Sequence, residues 1–579
     1  MDSVKLTIDG QMVEVPAGTT ILSAAKKVGI DIPTLCYHPT LETRAMCRVC
    51  MVEVKGARAL QAACAQPVAE GMEVKTNTLS VRTARKTNLE LLLSNHPQDC
   101  LNCVRNGSCE LQALSDKLGI RSQRFPAVET QDLPKDCSTA SIVRDPAKCI
   151  LCRRCAAVCE KVQGVSALSA VNRGMNTQVA PACVHQLGDV ACTLCGQCIH
   201  VCPVGAIYEV DDTALVWKAL ANPDLHVVVQ TAPAIRVAIG EEVGLKPGTL
   251  VTGKLVSALR RLGFTKVFDT DFAADLTIME EGNELISRLQ NQGTLPMITS
   301  CSPGWIKYIE HFYPELLGHL STCKSPQQMF GAMVKTYYAK KMGIDPKNIY
   351  VVSIMPCTAK KYECQRPEMN SSGYQDVDVV LTTRELGRML RETGINFEKL
   401  PDEEFDAPLG ISTGAATIFG ATGGVMEAAL RTVYEKVTNH ELAKLDFEAV
   451  RGLEGIKEAT VDLDGTKVKV AVANGLSNAK KLLELIKDGK ADYHFIEVMC
   501  CPGGCIGGGG QPFPTNLETR MARMKAIYQG DQEMKIRKSH ENPAIIELYK
   551  DFLGEPLGEK SHHLLHTHYT KRERYQLEK

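Results

Sequence analysis

The sequence predicts a multidomain chain: α+β and cysteine-rich up to about residue 213, then α/β with mostly parallel strands. Three observations carry that reading. Seventeen of the 24 cysteines lie before residue 203, mostly at two- or three-residue spacings. The chain opens on a hairpin pattern, with Val4, Leu6 and Ile8 alternating before Asp9-Gly10, and Val13 and Val15 after it. Beyond residue 213 cysteines thin out, and apolar runs alternate with helical stretches. At 579 residues the length fits about four domains.

Composition narrows the partners. Apolar residues are 44% and charged residues 23%, as in ordinary globular proteins, and the net charge of −1 gives no pull toward nucleic acid. The start, Met1 to Leu6, lacks a signal-peptide pattern, and no apolar run approaches the roughly 18 residues of a membrane helix. A cytoplasmic protein without membrane contact is expected. In that compartment cysteines serve as metal ligands more often than as disulfides.

After the hairpin, Thr19 or Thr20 can cap a short helix carrying Ile21, Leu22, Ala25 and Val28, and Gly29 can end it. Cys36, Cys47, Cys50 and Cys64 follow, with a wide, a two-residue and a wide gap. This is similar to the plant-type 2Fe-2S pattern, with a longer first gap. Zinc is the alternative, and the β-grasp hairpin beside the cysteines counts against it. Ser80 to Asn95 reads as one amphipathic helix ending at His96-Pro97, before Cys100, Cys103 and Cys109. Spacing alone leaves zinc and a His-ligated 4Fe-4S cluster equally open there.

Two Cys-x2-Cys-x2-Cys-x3-Cys runs come next: Cys149, Cys152, Cys155 and Cys159, then Cys192, Cys195, Cys198 and Cys202. Pro203 completes the second run, and Glu160 replaces the usual proline in the first. In such pairs the fourth cysteine serves the other cluster. One cluster is therefore expected on Cys149, Cys152, Cys155 and Cys202, the other on Cys192, Cys195, Cys198 and Cys159. Cys137 and Cys183 read as plain thiols.

In the α/β part, buried strands are expected at Leu225 to Val229, Pro296 to Ile298, Tyr350 to Ile354, Val377 to Leu381, Val468 to Val472 and Tyr493 to Val498. Helices are expected at Ile306 to Leu320 and Asn478 to Lys487. The Gly-rich start of Gly410 to Arg431 is no Walker A loop, because no Gly-Lys-Ser/Thr follows. The tail, with His562, His563, His566 and His568, could hold a metal but reads as an ordinary polar terminus. The stretch that organises the chain is Met499-Cys500-Cys501-Pro502-Gly503-Gly504-Cys505, continuing to Pro512. Glycines there let the backbone approach a bulky object. Pro296 to Trp305 and Ile349 to Lys361 each bring a cysteine, Cys301 or Cys357, to the C-terminal end of a strand, where ligands sit in parallel sheets.

These three motifs, in this order, closely resemble those of the catalytic subunit of the iron-only ([FeFe]) hydrogenases, and the resemblance spans essentially the whole chain. It implies reversible formation of H2 from two protons and two electrons. It also implies an H-cluster, a 4Fe-4S cubane bridged through a thiolate to a di-iron centre with CO, cyanide and azadithiolate. One 2Fe-2S and three accessory 4Fe-4S clusters would form the electron wire, and His96 would then serve 4Fe-4S rather than zinc. The implied domains are a β-grasp 2Fe-2S domain (1–78), a 4Fe-4S domain with one histidine and three cysteine ligands (79–137), a ferredoxin-like 2x4Fe-4S domain (138–212) and an α/β H-cluster domain with its tail (213–579).

By resemblance the cubane ligands are Cys357, Cys501, Cys505 and one residue of Cys301-Ser302. Many relatives have Cys-Cys there, a proton relay followed by a ligand. Strict matching makes Cys301 the relay and Ser302 the ligand, and a local shift would make Cys301 the ligand and Ser302 the relay. Cys500 replaces a common alanine. The implied proton path is Glu284, Ser321, Glu281 and Cys301, with Arg288 a turn beyond Glu284. Pro233, Ala234, Gln327, Met355, Met499 and Lys360 are implied around the di-iron centre, Lys360 pairing with a cyanide. Ala234 stands where many relatives have a serine that bonds cyanide. Cys323 and Cys364 fit core or surface thiols.

Other classes fit less well. The complex I large-subunit type lacks the three cysteine motifs after residue 295. Non-catalytic iron–sulfur assembly relatives lack the ferredoxin-type clusters, and a hydrogen sensor would carry a signalling domain. The chain looks most like the hydrogenase subunit of cytoplasmic NAD(P)-linked complexes, which implies flavin and small iron–sulfur partner subunits. No Rossmann fingerprint is present for binding nicotinamide itself. A stand-alone enzyme exchanging electrons with ferredoxin is the alternative.

Overall fold

The computed structural model describes residues 3–126, 133–442 and 444–575. The outermost residues of the expected first and last domains, and 127–132 of the second, lie outside the described residues.

The predicted hairpin opens the fold. Ser3–Ile8 pairs antiparallel with Gln11–Pro16, and Asp9 and Gly10 turn the chain at φ 48° and 87°. Alternation puts Leu6, Ile8, Val13 and Val15 into one small core. Glu73–Lys75, Met51–Val54 and Gln61–Ala62 complete a five-stranded sheet. Thr20 caps the helix Ile21–Lys27 by accepting from the Ser23 amide. Thr78 caps Leu79–Ser94 in the same way, accepting from the Val81 amide, and that helix delivers the chain to His96.

In the next unit Ile142–Arg144 pairs antiparallel with Ile207–Glu209. This brings the two ends of the segment together, so the first cysteine run lies beside the last cysteine of the second.

The large unit is built on two four-stranded sheets. One has the order Lys266–Asp269, His226–Thr231, Ile349–Met355, Val379–Thr382, all parallel. The other has the order Met297–Ile298, Phe495–Met499, Thr466–Asn474, Ile456–Leu463; its first three strands are parallel and the last is antiparallel. The C-terminal ends of strands from both sheets meet in one place.

All six predicted strands are present. Lys266–Asp269 was not legible because it has only four residues, and Ile456–Leu463 because it is a half-exposed edge strand. The helix expected over Ile306 to Leu320 is a helix Pro303–Phe312 followed by a 3-10 turn Pro314–His319. Pro314 has no N–H with which to continue the helix.

The tail is not an ordinary polar terminus. His566 follows the helix Glu559–Leu565 and is buried. Its Nε2 lies 3.0 Å from Glu280 Oε2, and its Nδ1 lies 2.8 Å from Thr322 Oγ1. Glu280 is fully buried on the helix Thr270–Gln290, and a buried carboxylate requires such a partner.

Candidate active site

Strand ends from both sheets open into one cavity of about 90 Å³. Pro233, Met355 and Cys357 reach it from one sheet, and Cys301, Ser302, Met499, Cys501 and Cys505 from the other; Gln327 and Lys360 complete the predicted set on its wall. Ala234 is not part of that wall. It lies in the core beside it, where its carbonyl accepts from Gln511 Nε2 at 3.4 Å.

Glycines bring the thiols together. Gly504 sits at φ +86°, and a Cβ on Gly508 would lie 2.1 Å from the Pro356 carbonyl. No other residue would let the 501–508 loop pass so near the turn that carries Cys357. The buried carboxylate of Glu497 accepts from the Gly423 and Met426 amides at 2.6 and 2.8 Å, tying this strand to the N-terminus of the helix Gly424–Thr438.

Burial, and to a lesser extent Cys501, push the Cys505 thiol up to about 12. Cys357 is pushed up by burial and by Cys501 and Cys505, against the pull of Lys360. Convergent buried thiols of this kind ionise when a cation shares the site, so the donor set fits a metal cluster. Lys360 Nζ lies 2.8 Å from Glu363 Oε2 and 3.2 Å from the Cys301 carbonyl. Gln327 is fixed by Ser353 Oγ (3.1 Å) and Glu363 Oε2 (3.2 Å).

A file of polar groups runs outward from Cys301. Burial and the Glu281 carboxyl raise the Cys301 thiol well above its ordinary value. Glu281 is buried, and its Oε2 has no hydrogen-bond partner. Burial pushes its carboxyl up to about 8, against a bond from Ser321. Ser321 Oγ donates to Glu284 Oε2 at 3.1 Å, and Glu284 Oε1 accepts from Arg288 Nη2 at 2.6 Å. All of these residues were expected from the sequence. Thr322 was missed: its amide and hydroxyl each donate to Glu284 Oε2 at 3.1 Å, and the hydroxyl links on to His566. Its position beside Ser321 was the only available signal.

Three of the N-terminal cysteine sets also converge. Cys36 Sγ accepts from the Cys47 amide at 3.4 Å, and Cys50 and Cys64 are neighbours of that pair. Cys149, Cys152, Cys155 and Cys202 line a separate small cavity, the grouping expected from an exchange of fourth cysteines. Cys159 is pushed up to about 12 by burial first and then by Cys192 and Cys195 beside it. His96 Nδ1 is buried without a partner, and both His96 and Cys103 lie near Lys148. Among the described residues, Glu284/Cys323/His566 and Glu435/His540/Glu541 are the groups whose ligand atoms lie within 4.8 Å of one another.

The second ferredoxin run is pressed onto the loop that carries Cys505. Gln197 Nε2 donates to the Gly507 carbonyl at 2.9 Å, and His200 Nε2 lies 2.6 Å from the Gly508 carbonyl. A Cβ on Gly509 would lie 2.4 Å from the Cys195 carbonyl. Cys195 itself reaches the wall of the central cavity.

Comparison with known proteins matches these parts in order. Residues 1–79 match a 2Fe-2S iron–sulfur cluster binding domain, 85–124 the NADH-ubiquinone oxidoreductase-G iron–sulfur binding region, and 140–208 the ferredoxin-like domain of NADH-quinone oxidoreductase subunit 3. Residues 225–509 match the iron only hydrogenase large subunit, C-terminal domain, and 517–572 the iron hydrogenase small subunit. The chain is 55% identical to the NADP-reducing hydrogenase subunit HndD of Solidesulfovibrio fructosivorans, over 99% of this chain and 100% of that one. It is 42% identical to iron hydrogenase 1 of Clostridium pasteurianum, over 98% and 100%. An apo [FeFe]-hydrogenase structure from Chlamydomonas reinhardtii superposes with a TM-score of 0.57 at 47% identity, covering 62% of this chain and 99% of that one. With such identity along the whole chain, and the hydrogenase match falling where the two sheets converge, this protein belongs to the iron-only hydrogenases and is an oxidoreductase acting on hydrogen.

Proposed function

We propose that the chain interconverts two protons and two electrons with H2 at an H-cluster held by Cys357, Cys501 and Cys505, as a cytoplasmic subunit whose electrons pass to or from NAD(P) through partner subunits. The observation that carries this reading is the convergence, on one apolar cavity, of buried thiols, an acid file and a ferredoxin-like run. The partner assignment rests on the likeness to a subunit of an NADP-reducing hydrogenase along the full length. The described residues include no helix long and apolar enough to cross a membrane. The accessory clusters are assigned as one 2Fe-2S (Cys36, Cys47, Cys50, Cys64), one 4Fe-4S (His96, Cys100, Cys103, Cys109) and the two ferredoxin-type 4Fe-4S clusters.

Bound there, the H-cluster would supply the reducing electrons and the open iron site at which protons and hydrogen interconvert. The protein's part is to deliver protons and exclude water. Arg288 holds Glu284 at the outer end of the file through a 2.6 Å bond. Ser321 can accept a proton from one carboxyl and donate one to the other, so it relays between Glu284 and Glu281. Glu281, neutral at pH 7, can pass its proton to Cys301 at the cavity wall. Lys360 brings a positive charge to the same wall, where it can pair with an anionic iron ligand.

The test is an anaerobic infrared spectrum of the chain after maturation with the assembly factors for the di-iron centre. Stretching bands of CO and cyanide are expected; their absence with the accessory clusters intact overturns the catalytic reading. Hydrogen should then reduce an artificial dye with this chain alone, but NAD(P)+ only with the partner subunits added. Reduction of NAD(P)+ by the chain alone would refute the partner assignment.

A further inference from the structure

We infer that Cys500 supplies the fourth thiolate of the cubane, so that the ligand missing at Ser302 has been moved onto the residue that touches it. The inference rests on the cubane reading of Cys357, Cys501 and Cys505. A cubane takes four ligands, and three groups compete for the last place: Cys301, Ser302 and Cys500, all on the cavity wall.

Their surroundings differ. Cys301 lies on the proton side, with Glu281, Lys360 and Cys505 as neighbours, and its carbonyl accepts from Lys360 Nζ at 3.2 Å. Its thiol is where the acid file ends, and ligation would remove the last carrier of that file. Ser302 has an alcohol, far less acidic than a thiol and a poor partner for iron. Its Oγ takes a 3.4 Å bond from the Cys500 amide, so residues 302 and 500 face each other directly.

Cys500 is 4% exposed. Its thiol neighbours are Cys501, a cubane thiol, and Cys195, assigned to the adjoining ferredoxin cluster; Gln163 Oε1 lies 3.8 Å away. A Cβ on Gly304 would lie 2.7 Å from Cys500 Sγ, so the glycine two residues after Ser302 leaves the space this thiol occupies. The strand Phe495–Met499 ends just before Cys500, and the backbone turns at Gly503 and Gly504. Successive thiols there are not forced to opposite faces as they would be on an extended strand, and both Cys500 and Cys501 line the cavity. A thiol is absent at residue 302 and present on the residue in contact with it, with space kept for it at Gly304.

The test uses the full chain, reconstituted anaerobically with ferrous iron and sulfide and without di-iron maturation, so it does not depend on hydrogen turnover. Iron per chain is measured, with Mössbauer and electron paramagnetic resonance spectra separating the cubane from the accessory clusters. Cys500→Ala should lose one cubane's worth of iron and keep the accessory signals, whereas Cys301→Ala should keep both. Ser302→Cys placed in the Cys500→Ala chain should restore the lost iron. The inference is overturned if Cys500→Ala retains its cubane, if it loses the ferredoxin signal instead, if Cys301→Ala loses the cubane, or if Ser302→Cys fails to restore it. The presence or absence of a di-iron centre in the infrared test leaves these outcomes readable.

Discussion

Arg384 grips Glu209 with Nη2 2.7 Å from Oε2, and the same guanidinium donates to the carbonyls of Gly509 at 2.8 Å and Gln511 at 2.6 Å. One buried side chain thus ties the ferredoxin-like unit to the loop carrying Cys505. Burial alone would raise the Glu209 carboxyl, but Arg384 and Arg388 hold it well below the usual carboxylate range. Replacing Arg384 by Met leaves the buried carboxylate with Arg388 alone, 3.2 Å away, and should cost about 2–3 kcal/mol. It should also slow electron passage between the ferredoxin-type clusters and the active site. Thermal unfolding and stopped-flow reduction, both anaerobic, would check this. The double variant Arg384→Met/Glu209→Met should recover most of the stability and little of the electron transfer. An unchanged melting point in the single variant would show the clamp to be dispensable.

The acid file makes a separate prediction. Glu281→Gln removes the ionisable carboxyl that links Ser321 to Cys301, and hydrogen turnover should fall by about a hundredfold or more in both directions. Iron content and the cluster spectra should not change. Glu281→Asp keeps the chemistry at a shorter reach and should lose less. Equal activity of Glu281→Gln and the unaltered chain would mean that protons enter elsewhere.

The framework was legible in the sequence because its signals are local. The spacing of Cys149 to Cys202 fixed which thiols would meet, and period-2 alternation revealed the opening hairpin, while short apolar runs marked the six buried strands. Glu281 and Glu284 could be placed on one helix face by their separation. What sequence could not show depends on distant contacts. His566 reads as tail polarity until its ring is found between Glu280 and Thr322. Arg384 and Glu209 are 175 residues apart, so no window contains both. The meeting of Ser302 with Cys500, 198 residues away, likewise needs the parallel pairing of the strands that precede them.

His96 offers a test of ligand identity. An imidazole is neutral where a thiolate is negative, so a His-ligated cluster is easier to reduce. His96→Cys should therefore lower the midpoint potential of that cluster, while His96→Ala should lose or loosen it. A redox titration followed by electron paramagnetic resonance reads both. A potential that does not move in His96→Cys would place the fourth ligand elsewhere.

Asp275 gives the chain a pH dependence of its own. It is fully buried on the helix Thr270–Gln290 and accepts from the Thr413 amide (3.0 Å), Thr413 Oγ1 (2.7 Å) and Asn542 Nδ2 (2.9 Å), joining that helix to two distant segments. Burial pushes the carboxyl up to about 7 against those bonds. In the unfolded chain it titrates near its ordinary value of about 3.9. The folded state therefore favours the protonated acid. Its stabilising contribution is complete below about pH 4, falls as the pH rises and is lost through about pH 7, a change on the order of a few kcal/mol. Asp275→Asn cannot ionise and lacks this slope. The difference in thermal unfolding midpoint between the unaltered chain and Asp275→Asn should favour the unaltered chain more at pH 5 than at pH 8. A difference that stays constant across that range would mean that Asp275 ionises as easily in the folded protein as in water.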